Sequence, residues 1–190
     1  MSALGRHYFS SCVLVSTPGH AAGRHYLHGG GGSNQLCLPE DPQWKNHTAV
    51  NATAGWLYGV EYRTQSVHDV LFSGVNNGGS AEFQGQPTPC AVCYLPQRSA
   101  SVMIPARTSC PAGWMQEYGG YLMAEDSYSV ASTVRHSTDY ICVDGAPEVA
   151  TNGPVLQAQA ILLFVKVGCG SLPCSTYNNG WEVACVVCSK

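Results

Sequence analysis

The chain has 190 residues and a net charge of −3, and only 11% of its residues are charged, against roughly 25% in ordinary soluble domains. The missing basic stripe excludes nucleic acid as a partner. The longest apolar run, residues 160–165, is far too short to span a bilayer, so no membrane insertion is expected.

Gly, Ser, Thr, Asn and Tyr stand where helical surfaces carry Glu, Lys, Arg and Ala, which favours strands and turns. In chain order, short β-branched or aromatic runs predict strands at 57–62, 67–72, 101–104, 121–124, 140–143, 161–167 and 181–187. Turn clusters bound them at 29–33, 74–79, 87–89, 151–154 and 178–180. No sustained helical periodicity interrupts the pattern. The expectation is an all-β chain.

Ten cysteines, at 12, 37, 90, 93, 110, 142, 169, 174, 185 and 188, predict a disulfide framework formed in an oxidising compartment, hence secretion. The sequons at Asn46 and Asn51 fit an extracellular, surface-exposed stretch and are candidate glycosylation sites.

Cysteine order exposes an internal repeat. Ser11-Cys12, Cys37-Leu38 and Cys90-Ala91-Val92-Cys93 are echoed by Ser109-Cys110, Cys142-Val143 and Cys185-Val186-Val187-Cys188. The second half adds a private pair, Cys169 and Cys174, around a Gly-Ser-Leu-Pro turn. The expected architecture is therefore two tandem related β subdomains, residues 1–98 and 99–190. Each is stapled by its own cysteines, and together they make one compact duplicated domain.

Chemistry-bearing residues are sparse. Two Cys-x-x-Cys units can hold zinc, but beside six further cysteines they read as disulfide anchors. A thioredoxin-like redox motif needs a helix N-terminus after a strand, whereas Pro89 and the Val and Ala spacers predict strand here. His20, His25 and His28 match no metal-binding spacing and are read as surface or hydrogen-bonded histidines of a Gly-rich loop. His136, Ser137 and Asp139 are merely adjacent in sequence, with no nucleophile elbow, so no catalytic residue is assigned. Glu125, Asp126, Asp139, Asp144 and Glu148 lack a fixed calcium-loop spacing and are read as solvated turn carboxylates. No cofactor is expected; a structural calcium or chloride is the only ion the reading leaves room for. Trp114 and Trp181 lie close to cysteines and are expected in the core; Trp44 and Trp56, near the sequons, are the better candidates for exposed binding residues, although a core role is favoured for them too.

Cys110-Pro111-Ala112-Gly113-Trp114 followed by Tyr118-Gly119-Gly120-Tyr121-Leu122-Met123 resembles the opening of the second half of the C-terminal noncollagenous domain of type IV collagen. Cys90-Ala91-Val92-Cys93 resembles its closing motif, and the Cys169–Cys174 segment with Ser175 to Asn179 resembles its small local loop. A closer similarity is to the C-terminal domain of short-chain, spongin-type invertebrate collagens. It rests on Gly31 to Pro39, Met103-Ile104-Pro105-Ala106-Arg107 and the ending Cys185-Val186-Val187-Cys188-Ser189-Lys190. The resemblance spans nearly the whole chain, is specific in cysteine order and is weak between cysteines.

The resemblance implies the pairing Cys12–Cys93, Cys37–Cys90, Cys110–Cys188, Cys142–Cys185 and Cys169–Cys174, which sequence alone does not choose. It also implies a non-enzymatic extracellular matrix module that assembles with copies of itself, a trimer being favoured, and that contacts matrix proteins or glycans. Two departures stand out. The first half lacks the local loop, and the stretch from Cys174 to Cys185 is shorter than the strands that neighbours exchange in type IV collagen. A soluble lectin-like module on the same scaffold is the alternative.

Overall fold

The computed structural model describes residues 16–28, 31–46, 54–73, 82–93, 95–125, 137–150 and 159–190. Among them the chain is nearly all β. The strands are β1 (Ser16–Gly23), β2 (Leu36–Pro39), β3 (Tyr58–Tyr62), β4 (Pro89–Cys93), β5 (Ser101–Pro105), β6 (Met115–Ala124), β7 (Ile141–Asp144), β8 (Ala160–Phe164) and β9 (Ala184–Ser189), and a 3-10 turn lies at Ser66–His68. They form a single curled sheet in the order β2-β1-β3-β8-β6-β9-β5, with β4 beside β1 and β7 beside β6.

Two strands act as hubs. β1 pairs antiparallel with β2, β3 and β4. β6 pairs antiparallel with β7, β8 and β9. The halves join where β3 and β8 run parallel, Val60 opposite Ala160.

The hubs are built alike. On β1, Gly19 lies opposite Cys90 and Ala21 opposite Cys37. On β6, Gly120 lies opposite Cys185 and Leu122 opposite Cys142. In each case a disulfide joins the two flanking strands across the hub, Cys37–Cys90 and Cys142–Cys185, with Cα atoms 5.7 Å apart. Strands two apart in a flat sheet lie about 9.5 Å from each other, so both flanks are folded over the hub. That closure leaves no room for a side chain beneath it. A Cβ on Gly19 would lie 2.0 Å from the Leu38 carbonyl oxygen, and one on Gly120 would lie 2.0 Å from that of Val143.

The likeness extends along the chain. The Tyr62 amide donates to Gln86 O at 3.0 Å and the Gly85 amide to Tyr62 O at 2.8 Å; the Val167 amide donates to Trp181 O at 2.9 Å and the Gly180 amide to Val167 O at 2.8 Å. Gly85 (φ 69°) and Gly180 (φ 80°) occupy the left-handed conformation these turns require, which costs glycine nothing sterically.

One hydrophobic core serves both halves. Val60, Tyr62, Phe72 and Phe83 from the first pack with Met123, Val143, Leu162 and Phe164 from the second. Edge-to-face ring pairs tie it together, among them Tyr62–Phe83 at 5.6 Å and Tyr121–Phe164 at 5.5 Å.

Three sequence expectations need correction. Residues 67–72 are not a strand. The His68 amide bonds to Gln65 O, the Leu71 amide to His68 O, and the Gln65 amide to His68 Nδ1 at 3.3 Å. These local bonds close turns that leave Val67 and Val70 in water and carry Phe72 into the core. Residues 16–23, where no strand is predicted and His20 is read as loop, are the β1 hub, because small side chains let the flanking strands fold over it. Trp181 is 65% exposed rather than core, since its backbone, not its ring, is held by Val167.

Candidate functional site

The disulfides fix the frame. Cys37–Cys90, Cys110–Cys188, Cys142–Cys185 and Cys169–Cys174 are bonded, and these are four of the five pairs the resemblance implies. The fifth, Cys12–Cys93, involves Cys12, which lies outside the described residues, as do Asn51, Asp126 and His136. The Cys110–Cys188 bridge ties the connection between β5 and β6 to the end of β9. Beside it, Arg98 donates to Glu117 Oε1 at 3.0 Å and to Ser189 Oγ at 2.6 Å.

Three of the tryptophans stand in water: Trp44 is 82% exposed, Trp56 64% and Trp181 65%. Trp114 is half-buried. Asn46, two residues from Trp44, is exposed and accessible to a glycan. The candidate carboxylates scatter. Asp144 Oδ1 accepts from the Ala146 amide at 3.0 Å, an ordinary turn contact. Ser137 and Asp139 are exposed and Glu148 is half-buried. Among the described residues no group of three His, Cys, Asp or Glu side chains is placed to hold a metal ion, and no helix is long and apolar enough to cross a membrane.

Glu125 departs from its expected role as a solvated turn carboxylate. It is buried and forms an ion pair with Arg24 Nη2, the two side chains being 2% and 4% exposed. Arg24 directly follows β1 and Glu125 directly follows β6, so the pair links the ends of the two hub strands. A carboxylate taken out of water is tolerated only with such a partner. Sequence reasoning could not find the pair, since its members lie a hundred residues apart and neither sits in a motif.

The histidines separate. His20 is half-buried on β1, not in a loop. His25 and His28 stack, ring centroids 4.3 Å apart and planes 14° from parallel, with the Tyr58 ring edge-on to both. Burial, and then the charge of His28, lower the His25 pKa below the usual imidazole value. Burial likewise lowers His68, whose ring packs on Phe164 at 4.8 Å.

No protein-family model matches this chain, and no solved structure matches it.

Proposed function

We propose that the chain is a secreted, non-enzymatic structural module of the extracellular matrix that associates with further copies of itself, as a trimer, and with matrix proteins or glycans. Residues 1–98 and 99–190 act as tandem related subdomains that share one core. The observation that carries this reading is the stapled hub built twice, together with the resemblance of its cysteine order to the noncollagenous domains of collagens. The staples also fit an oxidising compartment. Such staples stabilise the fold chiefly by restricting the unfolded chain, which lets the folded chain keep large apolar side chains in water at Trp44, Trp56, Trp181 and Val70. Surface of that kind is where copies and partners dock.

Light scattering of the oxidised protein at high micromolar concentration tests the reading. A trimer that dissociates on reduction is the expected result; a monomer throughout would remove the assembly role.

The exposed Trp44 and Trp56 favour a second reading, a lectin-like module whose indoles stack on sugar rings. A glycan array on which Trp44→Ala and Trp56→Ala each lower the signal would support it. A blank array would end it.

A further inference from the structure

The segment Arg24 to His28 joins the two halves through polar contacts. Arg24 reaches Glu125, and the Tyr26 amide donates to Gln159 O at 2.8 Å. The segment holds its own shape through three contacts. The His28 amide donates to His25 O at 3.0 Å, Arg24 Nη1 donates to His28 O at 3.3 Å, and the Leu27 amide donates to His25 Nδ1 at 3.2 Å.

The last contact has a chemical consequence. A neutral imidazole that accepts at Nδ1 carries its proton on Nε2. Charging His25 puts a second proton on Nδ1, where the Leu27 N–H already points, so the imidazolium and this hydrogen bond exclude each other. Two further features oppose a charge there. The His28 ring lies parallel at 4.3 Å, so the pair cannot both become cations without repulsion. The Arg24 guanidinium, already cationic, is anchored on the carbonyl of His28. The other groups that meet this cluster are Tyr26 in the same segment, Tyr58 from β3 and Glu125 from the end of β6. Glu125 is already engaged with Arg24.

We propose that Arg24–His28 is a proton-operated latch across the seam between the halves. At neutral pH the uncharged His25 ring, stacked on His28, holds the segment over the buried Arg24–Glu125 pair; in mildly acidic solution a proton on His25 Nδ1 breaks the Leu27–His25 bond, swings the segment off Tyr58 and lets water reach the pair. The sign follows from linkage. A histidine whose folded state resists the proton confers stability that is whole above the ordinary imidazole pKa, about 6.5, and is lost as pH falls through that value. The lowered His25 pKa agrees with that direction.

Hydrogen exchange of the full oxidised chain at pH 7.5 and 5.5, corrected for intrinsic rates, tests the latch. Amides of residues 24–28 and Glu125 are expected to exchange at least about tenfold faster at pH 5.5, while β9 stays protected. The double variant His25→Asn/His28→Phe keeps an acceptor for the Leu27 amide and an aromatic ring at position 28 but cannot take the proton, so it is expected to lose the response. Equal protection of the wild-type segment at both pH values would overturn the proposal, as would a double variant that opens like the wild type. Should the double variant not fold, NMR titration of the wild-type imidazoles decides. A His25 midpoint below the ordinary value, moving with the Leu27 amide shift, supports the latch; a midpoint at the ordinary value with a stationary Leu27 amide refutes it.

Discussion

The residues beside the two staples share a local geometry but not a fate. Next to Cys142, Ile141 and Val143 pack into the core, Val143 being 9% exposed. At the matching places next to Cys37, Leu36 and Leu38 are 43% and 39% exposed. Local sequence does not account for this, because leucines fully as apolar in kind as Ile141 and Val143 are the ones left outside. What differs is the cover. The first half has a long connection after Tyr62 that sends Phe72 to within 6.3 Å of the Tyr121 ring and lets the Ser73 amide donate to Gly145 O at 2.7 Å, just past β7. The corresponding connection of the second half, after Val167, is shorter and carries the Cys169–Cys174 loop instead. The hub and its staple fix how strands fold over one another. Burial of their flanks depends on a segment lent by the other half.

Deleting the staples is the strongest way to break this comparison. The closed loops span 53 residues for Cys37–Cys90 and 43 for Cys142–Cys185, so chain entropy gives each about 4 kcal/mol. Paired Cys→Ala variants of each bridge should therefore lose nearly equal stability in urea titrations. A much larger loss for Cys142/Cys185 would show that its bridge also positions the shared core.

Next in size is the pair Gly19→Ala and Gly120→Ala. With a backbone oxygen 2.0 Å from either new Cβ, each is expected to cost at least about 3 kcal/mol. Thermal unfolding of the two variants should show matching losses. If one is tolerated, the two hubs do not close in the same way.

The smallest effect sharpens the contrast most. Val143→Ala should cost about 2 kcal/mol by opening a cavity, whereas Leu38→Ala should stay within about 0.5 kcal/mol, as surface changes do. A large loss for Leu38→Ala in the free chain would mean that this flank is covered after all.

Much of this was legible in the amino acids. Short β-branched or aromatic runs bounded by turn clusters located β3, β5 and the cores of β6 to β9, because such side chains suit a pleated, half-buried surface. Cysteine order exposed the repeat, since a staple needs its sulfurs at set places on set strands. The β1 hub was illegible. Ser-Thr-Pro-Gly-His-Ala-Ala-Gly has turn chemistry and little strand propensity, and it is extended only because strands close on both of its edges. Residues 67–72 misled in the opposite way: their apolar content suggested a strand, while His68 captured a backbone amide and closed turns.

Of the candidate site, the sequence singled out Trp44 and Trp56 through their polar, sequon-bearing surroundings but still favoured a core role for them; the structure corrects that and leaves both in water. It misplaced Trp181, whose ring lies outside although its backbone is locked to Val167. It could not join Arg24 to Glu125 or lay His28 on His25 beneath Tyr58, since those contacts depend on where two hub strands end in space. The sequence by itself determined the β character and that the cysteines are disulfide-bonded, because each follows from residue type and count. Only the tertiary structure decided which flank is core, which charges are buried and which rings stack, because those depend on the meeting of segments a hundred residues apart.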